Sequence, residues 1–196
     1  MPELILASAS PRRRKILEEI GIPFRVVVPE VEEVFWSDRP LGTAESNAHR
    51  KFAWARERFP EAALLAADTV IDFDGRCVAK PASHVAAAAM LRAFSGHAHR
   101  VLTAVVWSAP QRRRVLRTVE SVVRFRRLSK ADIEEYLRVV NPLDKAGAYD
   151  IDQRGDLIVE SFEGSWTNVM GLPREIVEPW VRSLFDADAR PHAARR

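Results

Sequence analysis

The 196-residue sequence predicts an α/β fold with a mixed central sheet. Two observations carry this. Short apolar runs of strand length alternate with longer segments of helical spacing, which is how a sheet covered by helices reads. One run, Ala62 to Ala67, is apolar throughout, as a strand buried on both faces requires.

The elements follow in order. Glu3 to Ala7 is a short strand, and Ser8-Ala9-Ser10-Pro11 turns into a helix with Ser10 as N-cap and Pro11 at its first position. That helix places Ile16, Leu17 and Ile20 at helical spacing and stops at Gly21. Phe24 to Val28 is the next strand. The acidic stretch Glu30 to Glu33 and a loop with Pro40 and Gly42 lead to Thr43, which is expected to cap a long helix ending near Phe59. The buried strand Ala62 to Ala67 is expected to end at Asp68-Thr69, and Val70 to Ala79 to form a hairpin around Asp74-Gly75. Ser83 caps an alanine-rich helix to Phe94, stopped by Gly96. Arg100 to Trp107 and Val115 to Phe125 are strands, and Ser129 opens a helix to Val139. Lys145 to Glu163 is glycine-punctuated and reads as extended, and Pro173 to Phe185 is the last helix. No repeat or linker divides the chain, so a single domain over residues 1–188 is expected, with a flexible tail over 189–196.

Composition excludes several classes. Hydrophobic residues make up 47% of the chain, enough for a core and unlike a disordered segment. No apolar run approaches the ~18 residues of a membrane span, and Leu4 to Ala7 is too short for a secretory signal. The single cysteine, Cys77, forms neither an intrachain disulfide nor a thiolate metal cage. A cytoplasmic home is the natural expectation. The pI of 9.3 suggests nucleic acid, but three of the 30 basic residues, Arg190, Arg195 and Arg196, sit in an acid-free stretch of eight residues at the end. Without them 27 bases face 27 acids, and a neutral body argues against a nucleic-acid partner.

Three groups of residues look chemical. Ser8, Ser10, Arg12 and Arg13 surround a helix N-terminus, whose free N–H groups and dipole favour an anion; two hydroxyls and two guanidiniums there would cradle phosphate. The same residues also read as an ordinary capped helix with a solvated basic first turn. Asp68, at the end of a buried strand, would hold Mg²⁺ or orient a water, or simply make a turn hydrogen bond with Thr69. Glu32 and Glu33 add carboxylates, or form a solvated acidic loop. Lys51 and Lys80 would neutralise phosphate as point charges, or sit on the surface. The sequence contains neither G-x-x-x-x-G-K-[ST] nor G-x-G-x-x-G. His97 and His99, without a partner cluster, read as surface histidines, and Arg112 to Arg114 as a solvated turn.

Together these pieces resemble the Maf (septum-formation-inhibitor) family of nucleotide pyrophosphatases. L-I-L-A-S-A-S-P-R-R at Leu4 to Arg13 resembles its opening motif, A-A-D-T-V at Ala66 to Val70 its G-A-D-T-V, and A-K-P at Ala79 to Pro81 its G-K-P. M-L-R-A-F-S-G-H-A-H at Met90 to His99, D-K-A-G-A-Y at Asp144 to Tyr149 and V-M-G-L-P at Val169 to Pro173 complete a match over nearly the whole chain. The resemblance implies an elongated mixed sheet flanked by helices, similar to the inosine triphosphate pyrophosphatases. It also implies hydrolysis of a nucleoside triphosphate to monophosphate and diphosphate, a divalent cation (Mg²⁺ or Mn²⁺) and a homodimer. It makes Asp68 the proton acceptor, Ser8, Ser10, Arg12, Arg13, Lys51 and Lys80 phosphate-binding residues, and Glu33, with Asp68, the acids at the metal.

Base choice is where the pattern breaks. Members acting on dTTP and UTP read A-Y-G-I-Q; this chain reads Ala148-Tyr149-Asp150-Ile151-Asp152-Gln153, with Asp152 at the glutamine position. Members acting on 7-methylguanosine triphosphate tend to carry an acid there. Arg12 and Thr69 match the dTTP/UTP subgroup, and Gln153 lies one residue from the missing amide, so the expectation leans to pyrimidines. The alternatives are 7-methyl-GTP specificity or a nucleotide-binding regulator of cell division without turnover.

Overall fold

The computed structural model describes residues 3–185; the expected tail lies outside them. Seven strands form one mixed sheet: β1 (Leu4–Ala7), β2 (Arg25–Val27), β3 (Ala63–Phe73), β4 (Arg76–Val78), β5 (Ala98–Ser108), β6 (Val115–Phe125) and β7 (Val159–Glu163). Six α-helices accompany them: α1 (Pro11–Ile20), α2 (Pro40–Arg58), α3 (His84–Phe94), α4 (Lys130–Val139), α5 (Trp166–Val169) and α6 (Arg174–Ser183). The strand order is β2-β1-β3-β5-β6-β7, with β4 paired to β3. β1 runs parallel to β2 and β3; every other pairing is antiparallel.

β3 organises the molecule, and it is longer than its sequence suggests. Asp68-Thr69 lies mid-strand, because nine consecutive pairs with β5, from Leu64–Ser108 to Asp72–Arg100, hold the backbone extended through both polar residues. The expected hairpin is present, confined to the far end, where Asp74 and Gly75 both take positive φ as a tight two-residue turn requires. On its other edge β3 pairs with β1 only from Ala63 to Ala66 and with β4 only from Ile71 to Phe73. Among the described residues no strand covers that edge over Ala67 to Val70.

The two faces of the sheet carry separate cores. One packs Ile16 and Leu17 of α1, Leu91 and Phe94 of α3, Tyr136 of α4 and Val177 of α6 over Leu65, Ala67 and Ile71. The other seats Ala44, Ala48, Phe52 and Ala55 of α2 on Leu64, Ala66 and Val70. β3 therefore alternates strictly, so that consecutive residues face opposite cores. Three alanines on α2 keep it close to the sheet, and the neighbouring i, i+4 row, Asn47 and Lys51, is carried to the same depth.

Local signals set most boundaries. The Ser10 hydroxyl accepts from Arg13 N, Ser83 from Ala86 N, and Ser129 forms a reciprocal capping box with Asp132. α2 begins at Pro40 instead of Thr43, since proline is at home in a first helical turn; the Thr43 hydroxyl instead tacks the preceding loop by bonding Trp36 N and O. The Lys145–Glu163 segment is only partly extended. It holds two 3₁₀ turns, Ala146–Ala148 and Gly155–Leu157, before β7. Gly147 makes the first turn feasible: its φ is +69°, and a Cβ there would come within 2.7 Å of Ile71 Cδ1. His99 is buried, stacked on Phe94 and bonded through Nε2 to Tyr149 Oη at 2.8 Å, so the surface reading does not hold for it. Burial drives its pKa down to about 4. Among the described residues no helix is long and apolar enough to cross a membrane.

Candidate active site

A cavity of about 740 Å³ opens where β1 ends and β3 continues uncovered. Its floor is the Asp68–Ile71 stretch of β3, and the N-terminus of α1 forms one wall. Asp68 and Thr69, being consecutive on the strand, face opposite cores and reach into the cavity with different partners.

On the α2 side, Asp68 is nearly buried. Its Oδ1 accepts from Lys51 Nζ at 2.7 Å, and its Oδ2 from Asn47 Nδ2 at 3.3 Å. Lys51 Nζ also lies 2.6 Å from Glu33 Oε1. Burial raises the Glu33 pKa, but the hydrogen bond and charge of Lys51, with the charges of Lys80 and Arg13, outweigh it and hold the group below its ordinary value. Asn47 also fixes the loop that carries Glu33, since its Oδ1 accepts from Val34 N and its Nδ2 donates to Val34 O.

On the other side, the Arg13 guanidinium is buried among neutral acceptors. Nε donates to Gly171 O at 2.8 Å, Nη1 to Ser8 Oγ at 3.2 Å and Nη2 to Thr69 Oγ1 at 2.9 Å. Burial pushes its pKa below the ordinary value, partly offset by the Asp68 charge, yet a guanidinium stays charged. Thr103 Oγ1 donates to Asn168 O, so the Thr69 hydroxyl donates to Thr103 and keeps its lone pairs for Arg13. Gly171 is required here. At φ +107°, a Cβ would crowd Thr69 Oγ1 at 3.2 Å and Arg13 Nε at 3.4 Å.

Ser8, Ser10, Arg12, Arg13, Glu33, Lys51, Asp68, Thr69 and Lys80 thus all line one cavity. Lys80 is exposed at its rim, with no carboxylate partner among the described residues. Asp152 does not line it. The turn after Asp150 points Asp152 outward, where Lys15 Nζ holds it at 2.9 Å, and Gln153 lines the cavity instead. Reading the sequence also missed Asn47, Lys145 and Asp150. Asn47 had a signal, its i, i+4 spacing from Lys51; Asp150 had one too, an acid at the glycine of A-Y-G-I-Q.

The donor set suits a hard divalent cation. Glu33 and Asp68 both sit on one ammonium, so their oxygens already converge within reach of a single positive centre. Among the described residues no group of three His, Cys, Asp or Glu side chains assembles to hold a metal unaided. That fits an ion of the Mg²⁺ type, which takes one or two carboxylates and completes its shell with water and substrate phosphates.

The family profile described as Maf-like protein matches residues 3–184. The chain belongs to the Maf family. A dTTP/UTP pyrophosphatase from Symbiobacterium thermophilum is 43% identical over 174 residues, covering 88% of this chain and 89% of that protein. One of the same name from Moorella thermoacetica is 41% identical over 190 residues, covering 96% and 97%. Among solved structures, a Staphylococcus aureus Ham1 protein superposes with a TM-score of 0.55 at 14% identity, covering 93% of this chain and 99% of its own. A HAM1 protein from Coxiella burnetii gives 0.54 at 12%, covering 95% and 100%. At those identities the likeness is one of fold: a mixed central sheet flanked by helices.

Proposed function

We propose that the chain hydrolyses a nucleoside triphosphate, dTTP or UTP by preference, to the monophosphate and diphosphate. The observation that carries this is Arg13: a buried cation held only by neutral acceptors, in a cavity that also contains Lys51, Lys80 and Arg12 beside the Asp68 carboxylate. A polyanion would supply the counter-charge that Arg13 and Lys80 lack, since Arg12, Lys51 and Lys145 already face Asp150, Glu33, Asp68 and Asp144. Relatives named dTTP/UTP pyrophosphatase, covered over most of their length, support the reaction and the base.

Phosphoryl transfer needs positioning and charge neutralisation more than covalent chemistry. Ser8, Ser10 and the free N–H groups of α1 would bind phosphate oxygens, with Arg13, Lys51 and Lys80 countering the charge that builds on the leaving diphosphate. Lys51 and Asn47 fix the plane of the Asp68 carboxylate, so that it can take the proton of a water attacking the α-phosphate in line. A divalent cation held by Glu33 and Asp68 would supply charge neutralisation on the phosphate oxygens and Lewis acidity toward that water. The family resemblance extends the reading to a cytoplasmic homodimer. Asp152, on which the 7-methyl-GTP alternative rests, lies outside the cavity.

Incubation with a panel of triphosphates and Mg²⁺ or Mn²⁺ in ¹⁸O-water, followed by chromatography and mass analysis, tests the reading. Monophosphate carrying the label, plus unlabelled diphosphate, is the expected outcome. Diphosphonucleoside plus orthophosphate would refute it, and tight binding without turnover would point to the regulator.

A further inference from the structure

The sequence A-Y-D-I-D-Q puts two acids and an amide where the pyrimidine-specific pattern has one glutamine, and the structure separates their roles. Asp152 belongs to the outer surface through Lys15. Asp150, in contrast, is 3% exposed and still lines the cavity. Its backbone is held at both polar atoms by one phenol, with Asp150 N donating to Tyr136 Oη at 2.9 Å and Tyr136 Oη donating back to Asp150 O at 3.2 Å. One carboxylate oxygen, Oδ1, is committed to the turn by accepting from Asp152 N at 3.1 Å. The other, Oδ2, lies 3.3 Å from Arg12 Nη1 and accepts from Gln153 Nε2 at 3.3 Å. Both distances are long for hydrogen bonds between such groups, and both flanking groups have further N–H donors to offer.

We propose that Asp150 reads the nucleobase: its Oδ2, between the N–H donors of Arg12 and Gln153, presents donor, acceptor, donor to the imide edge of uracil or thymine. This rests on the nucleotide reading above and names the group that gives it base selectivity. An imide edge is a carbonyl, an N–H and a second carbonyl, the complement of that triad. Cytosine turns a bare ring nitrogen toward the carboxylate, and guanine sets two adjacent donors against a triad that has one acceptor. A site built to hydrogen-bond a substrate group rejects analogues that lack it, because its own buried polar groups are then left unpaired. The anchoring by Tyr136 means that Asp150 is placed before the base arrives, so little ordering accompanies recognition. The two arginines at the start of α1 then divide the labour: Arg13 turns to Thr69 and Arg12 to Asp150.

Calorimetric titration with the α,β-methylene analogues of UTP, N3-methyl-UTP and CTP separates base recognition from hydrolysis. The unaltered chain is expected to bind the UTP analogue at least about tenfold more tightly than either of the others. In Asp150→Asn the amide oxygen keeps the turn bond to Asp152 N, which puts an NH₂ where Oδ2 stood. The UTP analogue should then lose about tenfold, the N3-methyl analogue should be unaffected and the CTP analogue should gain. Asp150→Ala, the second variant, should lose the uracil preference without gaining one for cytosine. N3-methyl-UTP analogue binding as tightly as the UTP analogue, or an unchanged UTP-to-CTP ratio in both variants, overturns the assignment. Turnover of UTP itself by the same protein preparations keeps the two readings apart. Imide-selective binding without hydrolysis sinks the pyrophosphatase and leaves Asp150 as reader; hydrolysis with unselective binding does the reverse.

Discussion

Lys51 and Arg13 approach the cavity from opposite faces of β3, Lys51 beside Asp68 and Arg13 beside the next residue, Thr69. Both are buried cations, yet Lys51 is met by two carboxylates and Arg13 only by a carbonyl and two hydroxyls. A buried ion without a counter-ion costs several kcal/mol, whereas a buried ion pair recovers much of that through its mutual attraction. The neutral cradle fixes where the Arg13 guanidinium points and leaves its charge for something outside the protein. The carboxylates around Lys51 use its charge to hold themselves in place. The difference teaches that two cations in one cavity are not equivalent: one is an anion receptor, and the other an organiser of acids.

Breaking the α2 side should have the largest effect. Asp68→Asn keeps the shape and an acceptor for Lys51 but removes the proton acceptor, so kcat should fall by about 10³-fold, the range of general-base catalysis, with the melting temperature nearly unchanged. Steady-state assays beside a thermal melt check this, and near-normal hydrolysis would take Asp68 out of the mechanism. The opposite face should respond more mildly. Arg13→Lys keeps the charge but loses the planar fork that spans Gly171 O, Ser8 Oγ and Thr69 Oγ1, and kcat/KM should drop about 10- to 100-fold. An unchanged kcat/KM would reduce Arg13 to a packing role.

The third effect concerns stability and not turnover. His99, on the same face as Arg13, is depressed by burial from 6.5 to about 4, so it is neutral in the fold. Between those two values the unfolded chain binds a proton that the native state refuses. His99 therefore costs no stability above pH 6.5, and stability is lost as pH falls toward 4, by up to about 3 kcal/mol. Urea melts at pH 7 and 4.5 should show that His99→Phe flattens this dependence; parallel losses in both proteins would exclude His99 as its source.

What the sequence disclosed follows from the range of the forces involved. Ser10-Pro11 to Gly21, Ser83, Ser129 and Asp74-Gly75 were legible because caps and turns act within a few residues. The length of β3 was not, since Asp68-Thr69 looks like a turn until nine pairs with β5 hold it straight. Asp68, Lys51, Lys80 and the α1 residues line one cavity. The one-residue shift that replaces Asp152 by Gln153 depends on Lys15, 137 residues away, and burial of His99 depends on Tyr149, 50 residues on. No local pattern encodes either.

β3 runs unbroken past the cavity and stays fully laddered to β5, so the floor of the site has no hinge. Motions that admit a substrate and release products must then belong to the walls. These are the irregular segment 28–39, which carries Glu33 and Phe35, and the turns around Asp144 to Gln153. In deuterium exchange whichever of the Asp68 and Thr69 amides donates to β5 would open only with the sheet, since consecutive N–H groups point to opposite edges of the strand, while the walls exchange through fast local fluctuations. The reacting carboxylate would thus sit on a rigid strand framed by irregular segments.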